Sequence, residues 1–477
     1  MPQNSWTDKN SYEEFNPIEA LLSEWSDAET EEEEWSSDFF QGLGGRRWKA
    51  AVTLMMVWGT TIALHLISWG SWLVLAITSL LTLQVARLLF SRPVPPPAAL
   101  ADQDLPAAPV VSILVAAKNE EAVITSLVES LCNLDYPHDK YEIWLIDDHS
   151  TDKTPALLDQ LSRQYRQLKV LHRSANAGGG KSGALNQALT LSKGEIVGVF
   201  DADAQIPPDI LRRVIPFFNR DTIGAVQVRK AIANAGLNFW TKGQQAEMAL
   251  DSYFQQRRIG LRGIGELRGN GQFVRRRALA SCGKWNEQTI TDDLDLTIRL
   301  HLDEWEIGFV NNLSVQEEGV TSAIALWHQR NRWAEGGYQR YLDYWRWIIR
   351  NRMGFGKTLD LSAFLLFQYL LPTAALPDLL MVCLRQGPPL YLPATSMMFT
   401  LSIWGMLQGL RETQPHNSEA KLTPWQLIGE TLRGTLYMIH WLLIIPSMTA
   451  RLAVRPKKLK WVKTSHQGEE KQHQYET

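Results

Sequence analysis

The sequence predicts an α/β domain with a doubly wound, mostly parallel sheet, set between two blocks of membrane helices. Three observations carry this expectation. Short apolar runs alternate with amphipathic segments over about residues 106–325, the pattern of buried strands and crossover helices. Those runs end in polar, mostly acidic residues, where ligands of such sheets bind. Long apolar stretches flank the region on both sides, each long enough to cross a bilayer.

Taken in order, residues 1–45 read as a solvated acidic tail. Glu13, Glu14, Glu19, Glu24, Asp27, Glu29, Glu31 to Glu34 and Asp38 stand against Lys9, and such a composition cannot bury a core. Its acidic start lacks the apolar run of a signal peptide. Trp25, Trp35, Phe39 and Phe40 leave room for a short docking helix. Residues 46–92 read as a transmembrane hairpin, with helices at about 48–67 and 71–90 and a break at Ser68-Trp69-Gly70-Ser71. Each half is near the ~20 residues a crossing needs. Arg46, Arg47 and Lys49 precede the hairpin and Arg87 and Arg92 close it, which places both ends in the cytoplasm. Pro93, Pro95, Pro96 and Pro97 then form a stiff linker.

Within 106–325, the runs Val110–Ala116, Tyr141–Ile146 and Ile196–Phe200 read as parallel strands, with crossover helices at 121–134, 153–165 and 182–192. Residues 326–358 read as amphipathic interface helices. Trp327, Tyr338, Tyr341, Tyr344, Trp345 and Trp347 alternate there with Arg340, Arg346 and Arg350. Residues 359–451 form a C-terminal transmembrane region with segments near 359–384, 391–410 and 427–450. Three crossings would leave residues 452–477 outside, yet Arg451, Arg455, Lys457, Lys458, Lys460 and Lys463 mark that tail as cytoplasmic. One segment is therefore re-entrant or interfacial, or one is two helices. The expectation is a multi-pass membrane protein in the lipid bilayer, its α/β domain on the cytoplasmic side. A net charge of −3 argues against nucleic acid as a partner. Cys132, Cys282 and Cys383 lie far apart, with neither metal-site nor disulfide spacing.

Four polar signatures carry the chemistry. Asp201 and Asp203 flank Ala202 after a strand; two carboxylates there can hold a hard divalent cation against a diphosphate. Asp147 and Asp148 open Asp-Asp-His-Ser-Thr-Asp. A carboxylate at that place can accept from a uracil, and the same stretch can cap the next helix. Gly178-Gly179-Gly180-Lys181 lets backbone approach a phosphate, with Lys181 as a point charge, but its spacing is not that of a P-loop. Asp293, after Thr291-Asp292, starts a helical period; it can deprotonate an acceptor hydroxyl or serve the helix dipole. Gln329, Arg332 and Trp333 fall on one helix face, where amide, guanidinium and indole suit a diphosphate and a sugar ring.

In this order and between membrane segments, the chain resembles the membrane-type family 2 glycosyltransferases, which include cellulose and hyaluronan synthases. The shared pattern D-D, D-x-D, T-E-D, Q-x-x-R-W covers about residues 108–335, with Asp292 in place of the usual Glu. The resemblance implies a GT-A fold (nucleotide-diphospho-sugar transferase, Rossmann-like), a nucleotide sugar, Mg2+ or Mn2+, and inversion at the anomeric carbon. It implies Asp148 at the uracil, Asp201 and Asp203 at diphosphate and metal, and Asp293 as general base. Gln329, Arg332 and Trp333 would hold diphosphate and acceptor, and Gly269-Asn270-Gly271-Gln272-Phe273 an acceptor-site turn. The overall layout is similar to family members that move glucose from UDP-glucose to diacylglycerol. A processive polysaccharide synthase is the alternative, and the few segments after residue 358 weigh against its pore.

Overall fold

A computed structural model describes residues 45–414 and 421–454 of the protein. The acidic tail expected over 1–45 and the basic tail expected over 452–477 lie almost wholly outside these described residues.

Two helices open the described chain, α1 (Arg46–Leu66) and α2 (Gly70–Phe90). The sheet domain follows as β1 (Val111–Ala117), α3 (Ile124–Cys132), β2 (Tyr141–Asp147), α4 (Thr154–Gln164), β3 (Leu168–His172), α5 (Gly180–Leu191) and β4 (Ile196–Phe200). It continues through α6 (Ile210–Val214), β5 (Ile223–Ile232), α7 (Phe239–Gly260), β6 (Gln272–Arg275), α8 (Arg276–Ser281), α9 (Asp292–Leu302) and β7 (Glu306–Glu317). The long α10 (Ala323–Ile349) leads to α11 (Phe355–Arg385), α12 (Leu392–Glu412), α13 (Pro424–Met438) and α14 (His440–Val454).

The seven strands lie in the order β3-β2-β1-β4-β6-β5-β7. β1 pairs in parallel with both β2 and β4, while β6 runs antiparallel between β4 and β5. The chain leaves β1 toward one edge and returns to its other side at β4, which makes a switch point where ligands bind. Every residue of β1 is buried because helices cover both faces. Ile113 and Val115 pack with Leu127 and Leu131 of α3 on one face. Leu114 and Ala116 pack with Leu185 of α5 and Leu296 of α9 on the other. That two-sided burial is why the strand reads as an unbroken apolar run.

Among the described residues, four helices are long and apolar enough to cross a membrane: Arg46–Leu66, Gly70–Phe90, Phe355–Arg385 and Pro424–Val454. The last comprises α13 and α14. α12 is not among them. It lies against α7 of the sheet domain through glycines: a Cβ at Gly409 would meet the Ala249 carbonyl at 2.2 Å, and one at Gly405 the Phe254 ring at 2.6 Å.

One expectation is corrected here. Tyr338, Tyr341 and Tyr344, expected as an interfacial belt, are at most 5% exposed. They pack with Ala50, Tyr369, Ile444 and Ile445 in a core that joins α10 to the membrane-type helices. Only the ends of α10 show large apolar side chains, Ile324 and Trp327 at one and Trp345 and Ile349 at the other. The periodicity of α10 identified an apolar face, but its occupant is protein. Arg46 and Arg47, at the start of α1, are buried as well. Arg46 holds Asp343 of α10 through two hydrogen bonds, at 2.7 and 2.5 Å, and Arg47 donates to the Val454 carbonyl.

A second buried charge cluster ties the sheet domain to α11. Glu266 is fully buried and accepts from Arg340 at 2.6 Å, Arg268 at 2.8 Å and Arg258 at 3.2 Å. Arg258 also donates to Asp360 of α11 at 2.8 Å, and Arg268 pairs with Asp251. Burial alone would raise the Glu266 carboxyl, but the arginines hold it well below the usual range.

Removing one partner of a buried pair strands the other charge. Asp343→Ala is expected to destabilise the protein by about 3–5 kcal/mol, read as a lower thermal midpoint in detergent. Arg46→Met combined with Asp343→Leu should recover most of the loss.

Candidate active site

One cavity of about 780 Å³ opens at the carboxyl ends of β1 and β4 and runs down to the helical block. Lys181, Asp201, Asp203, Asp293, Gln329, Arg332 and Trp333 all line it. These residues come from four separate stretches of chain, which the switch point of the sheet and the start of α10 bring together.

Asp201 follows β4 directly. Its backbone N–H donates to Asn270 Oδ1 at 3.3 Å, and its carboxylate accepts from Lys181 Nζ at 2.6 Å. Lys181 sits in the first turn of α5, whose start needs glycine. Gly179 has φ +79°, and a Cβ there would lie 2.2 Å from the Glu287 carboxylate. Burial pushes Asp201 up, but the charge of Lys181 and its hydrogen bond win and lower it. Burial opposes the charged lysine too, yet Asp201 and then Asp292 raise it. Asp203 accepts from the Glu318 backbone N–H at 3.1 Å.

Asn270 belongs to a turn before β6. Gly269 and Gly271 take φ +77° and +73° there, a region only glycine enters freely. The turn aims the Asn270 amide at Asp201, and Gly269 leaves room for Asp293, whose Oδ2 lies 3.4 Å from where a Cβ would be.

Asp292 and Asp293 form the first turn of α9, with Thr291 as N-cap. Asp293 Oδ1 accepts from the Leu294 N–H at 2.8 Å. The helix terminus favours negative charge, but burial outweighs it. Burial first, then the neighbouring Asp292, raise Asp293 to about 6. Asp292 is raised as well, mainly by burial.

On α10, Arg332 stands in the field of Asp201. Trp333 carries the Arg330 guanidinium over its ring at 3.9 Å and Lys230 Nζ at 5.4 Å. Arg330 is buried, pairs with Glu247 and donates to Gln329 Oε1 at 2.8 Å. Glu247 also accepts from Trp441 Nε1 at 2.8 Å and from the Tyr437 hydroxyl at 3.1 Å. The indole and the amide are thereby held by groups that the motif does not contain.

Asp147 and Asp148 are not among the lining residues. Asp147 accepts from the Ser150 N–H at 3.1 Å and contacts His172 Nδ1 at 3.0 Å. Asp148 pairs with Arg173, which also donates to the carbonyls of Gly178 and Gly180. Together they fix the glycine turn that carries Lys181. Lys230, Glu247 and Gly336 escape a reading of the sequence. Gly336 had a signal, a Gly-Gly pair inside a helix; Lys230 and Glu247 had none.

Among the described residues no group of three or more His, Cys, Asp or Glu could hold a metal ion. Asp201 and Asp203 nonetheless fit a small hard cation, which binds through one or two carboxylates and takes the rest of its oxygens from phosphate and water. A cationic group, the Lys181 ammonium, already rests on Asp201.

The family model described as "Glycosyl transferase family 2" matches residues 112–283. The chain is 59% identical over 471 residues to the beta-monoglucosyldiacylglycerol synthase of Synechocystis sp., covering 98% of this chain and 97% of that protein. It is 58% identical over 469 residues to the protein of that name from Trichormus variabilis, covering 98% and 99%. A mannosyltransferase from Pyrobaculum calidifontis, solved with GDP-Man and Mn2+, is similar in fold, with a TM-score of 0.52 at 19% identity over 80% of this chain and 99% of that one. Fold and site thus define a glycosyltransferase with a GT-A domain set between apolar helices. The chain belongs to the family 2 glycosyltransferases.

α10 reaches the start of α9 only because residue 336 is glycine: a Cβ there would lie 2.3 Å from Thr291 Oγ1 and 2.4 Å from its Cγ2. Gly336→Ala is expected to cost about 1–3 kcal/mol in unfolding free energy through overpacking. Adding Thr291→Ala should restore part of it, giving a non-additive double-mutant cycle.

Proposed function

We propose that the protein transfers glucose from UDP-glucose to the free hydroxyl of 1,2-diacylglycerol, with inversion, giving β-monoglucosyldiacylglycerol. One observation carries the reading. The cavity that holds Asp201, Asp203 and Asp293 at its polar end is walled at the other by Leu88 of α2, Phe364 and Phe367 of α11, and Met398 and Phe399 of α12. A hydroxyl at Asp293 can therefore belong to a molecule whose tails lie among apolar helices. The names of the two full-length relatives support the same donor sugar and acceptor.

In the reaction, Asp293 takes the proton from the acceptor hydroxyl. That oxygen forms a bond to the anomeric carbon as the bond to the UDP oxygen breaks, and UDP leaves with the electron pair. Asp293 then returns its proton to solvent. A carboxyl poised near 6 is ionised at neutral pH yet basic enough to assist. Arg332 and Lys181 provide positive charge beside the leaving diphosphate. A divalent ion, Mg2+ or Mn2+, held by Asp201 and Asp203 would neutralise the same charge when bound. Asp148, held by Arg173 beside the cavity, would serve the uracil edge of the donor. For the membrane, we read α1 and α2 as a hairpin of two crossings, which leaves its two ends and the sheet domain on the cytoplasmic side.

Membranes containing the protein, given labelled UDP-glucose, Mg2+ and diacylglycerol, should place label in one organic-soluble β-glucosyl lipid. Label in long insoluble material would reject the lipid reading in favour of polymer synthesis. Asp293→Asn is expected to abolish transfer, and retained transfer would remove Asp293 as base. The rate should fall about tenfold per pH unit below about pH 6, as Asp293 gains its proton. Asp292→Asn removes a repulsion that raises Asp293, so this acid limb should move to lower pH; a shift the other way would contradict the assignment.

A further inference from the structure

The middle of α11 is not α-helical. Leu366–Leu370 wind as a π-helix, a form that occurs as single turns and often at functional sites. Phe367, Gln368 and Tyr369 of this turn all line the cavity. The turn stands where the wall changes character. On its polar side lie Arg258 and Arg340, whose guanidiniums sit 4.9 and 5.6 Å from the Phe364 ring. On its other side the lining is Phe367, Pro372 and Phe399. Tyr369 is packed so tightly against α10 that a Cβ at Gly337 would meet its hydroxyl at 2.2 Å, so the turn has little freedom to shift.

Gln368 is the unusual residue in this belt. It lies in a membrane-type helix, and its amide oxygen is buried without a hydrogen-bond partner. Arg258 Nη2, on the facing side of the belt, is likewise buried and unpartnered. Polar groups inside membrane helices normally find partners within the bundle or mark a substrate path. The two acyl esters of a diacylated glycerol are acceptors, and the Gln368 amide N–H and the Arg258 guanidinium are donors that can meet them.

We propose that the π turn of α11 is the acceptor-recognition element, with the Gln368 amide hydrogen-bonding the glycerol-ester region of a diacylated glycerol and Phe367 and Phe399 receiving its acyl chains. This rests on the lipid acceptor proposed above. It adds that the enzyme reads the ester linkage and does not merely accept any apolar alcohol.

The test uses the full-length protein in nanodiscs and compares kcat/KM for a diacylglycerol with that for the dialkyl ether of the same chain length, which lacks the ester carbonyls. The wild type should prefer the diacyl lipid by about fivefold or more, the value of one hydrogen bond in a desolvated site. Gln368→Leu should bring the ratio to parity through the KM for the lipid, with the KM for UDP-glucose unmoved. Gln368→Asn, which keeps the amide on a shorter arm, should fall between and carries the test if the leucine variant fails to bind UDP. A diacyl preference that survives in these variants overturns the assignment, as does a wild type that uses both lipids equally. Transfer by the wild type to neither lipid is a different result: it rejects the lipid acceptor itself, and this subsite with it.

Discussion

Glu266 is the point on which the architecture turns. A carboxylate with no solvent exposure must be matched by charge and hydrogen bonds, and it is matched by Arg258 of α7, Arg268 of the loop before β6, and Arg340 of α10. Arg258 extends the cluster to Asp360 of α11. Three separate elements therefore meet at one buried anion, and a fourth joins through Arg258. Such a cluster is weak evidence for stability, since apolar packing can do as well. Its effect is on register. It ties α10, and through Arg258 also α11, to the sheet domain.

The electrostatics of the cavity follow from how burial is compensated. Asp201 and Asp293 both line the same partly enclosed cavity, yet they shift in opposite directions. Asp201 has an ammonium at hydrogen-bond distance. Asp293 has another carboxylate beside it and a single backbone N–H. Pairs of like groups pushed apart by their surroundings are how one site runs two kinds of chemistry at one pH. The glycines serve this arrangement. Gly179 and Gly336 remove the Cβ atoms that would press on Glu287 and Thr291.

Much of this was legible in the chain. β1, β2 and β4 show themselves because strands covered on both faces must be apolar throughout, and Asp201 shows itself because the run stops there. Trp333 and Arg332 are legible as a helix face. Lys230 and Glu247 are not: Lys230 lies on β5 and Glu247 on α7, with no local pattern, and only the fold brings them to Trp333 and Arg330. The tyrosines of α10 were legible as an apolar face but misleading about what covers it. An apolar face looks alike whether lipid or protein lies against it.

By itself the sequence determined the α/β alternation, the apolar helices on either side and the acidic positions at the strand ends, because periodicity and composition are local properties. Tertiary structure alone decided that Asp148, through Arg173, braces the glycine turn beside the cavity, that Arg46 and Arg47 are buried in the protein, and that a π turn in α11 stands between the carboxylates and the apolar wall. Each depends on contacts between residues far apart in the chain. A carboxylate, an arginine or a glutamine carries no mark of its partner until folding removes water from around it and makes the partner necessary.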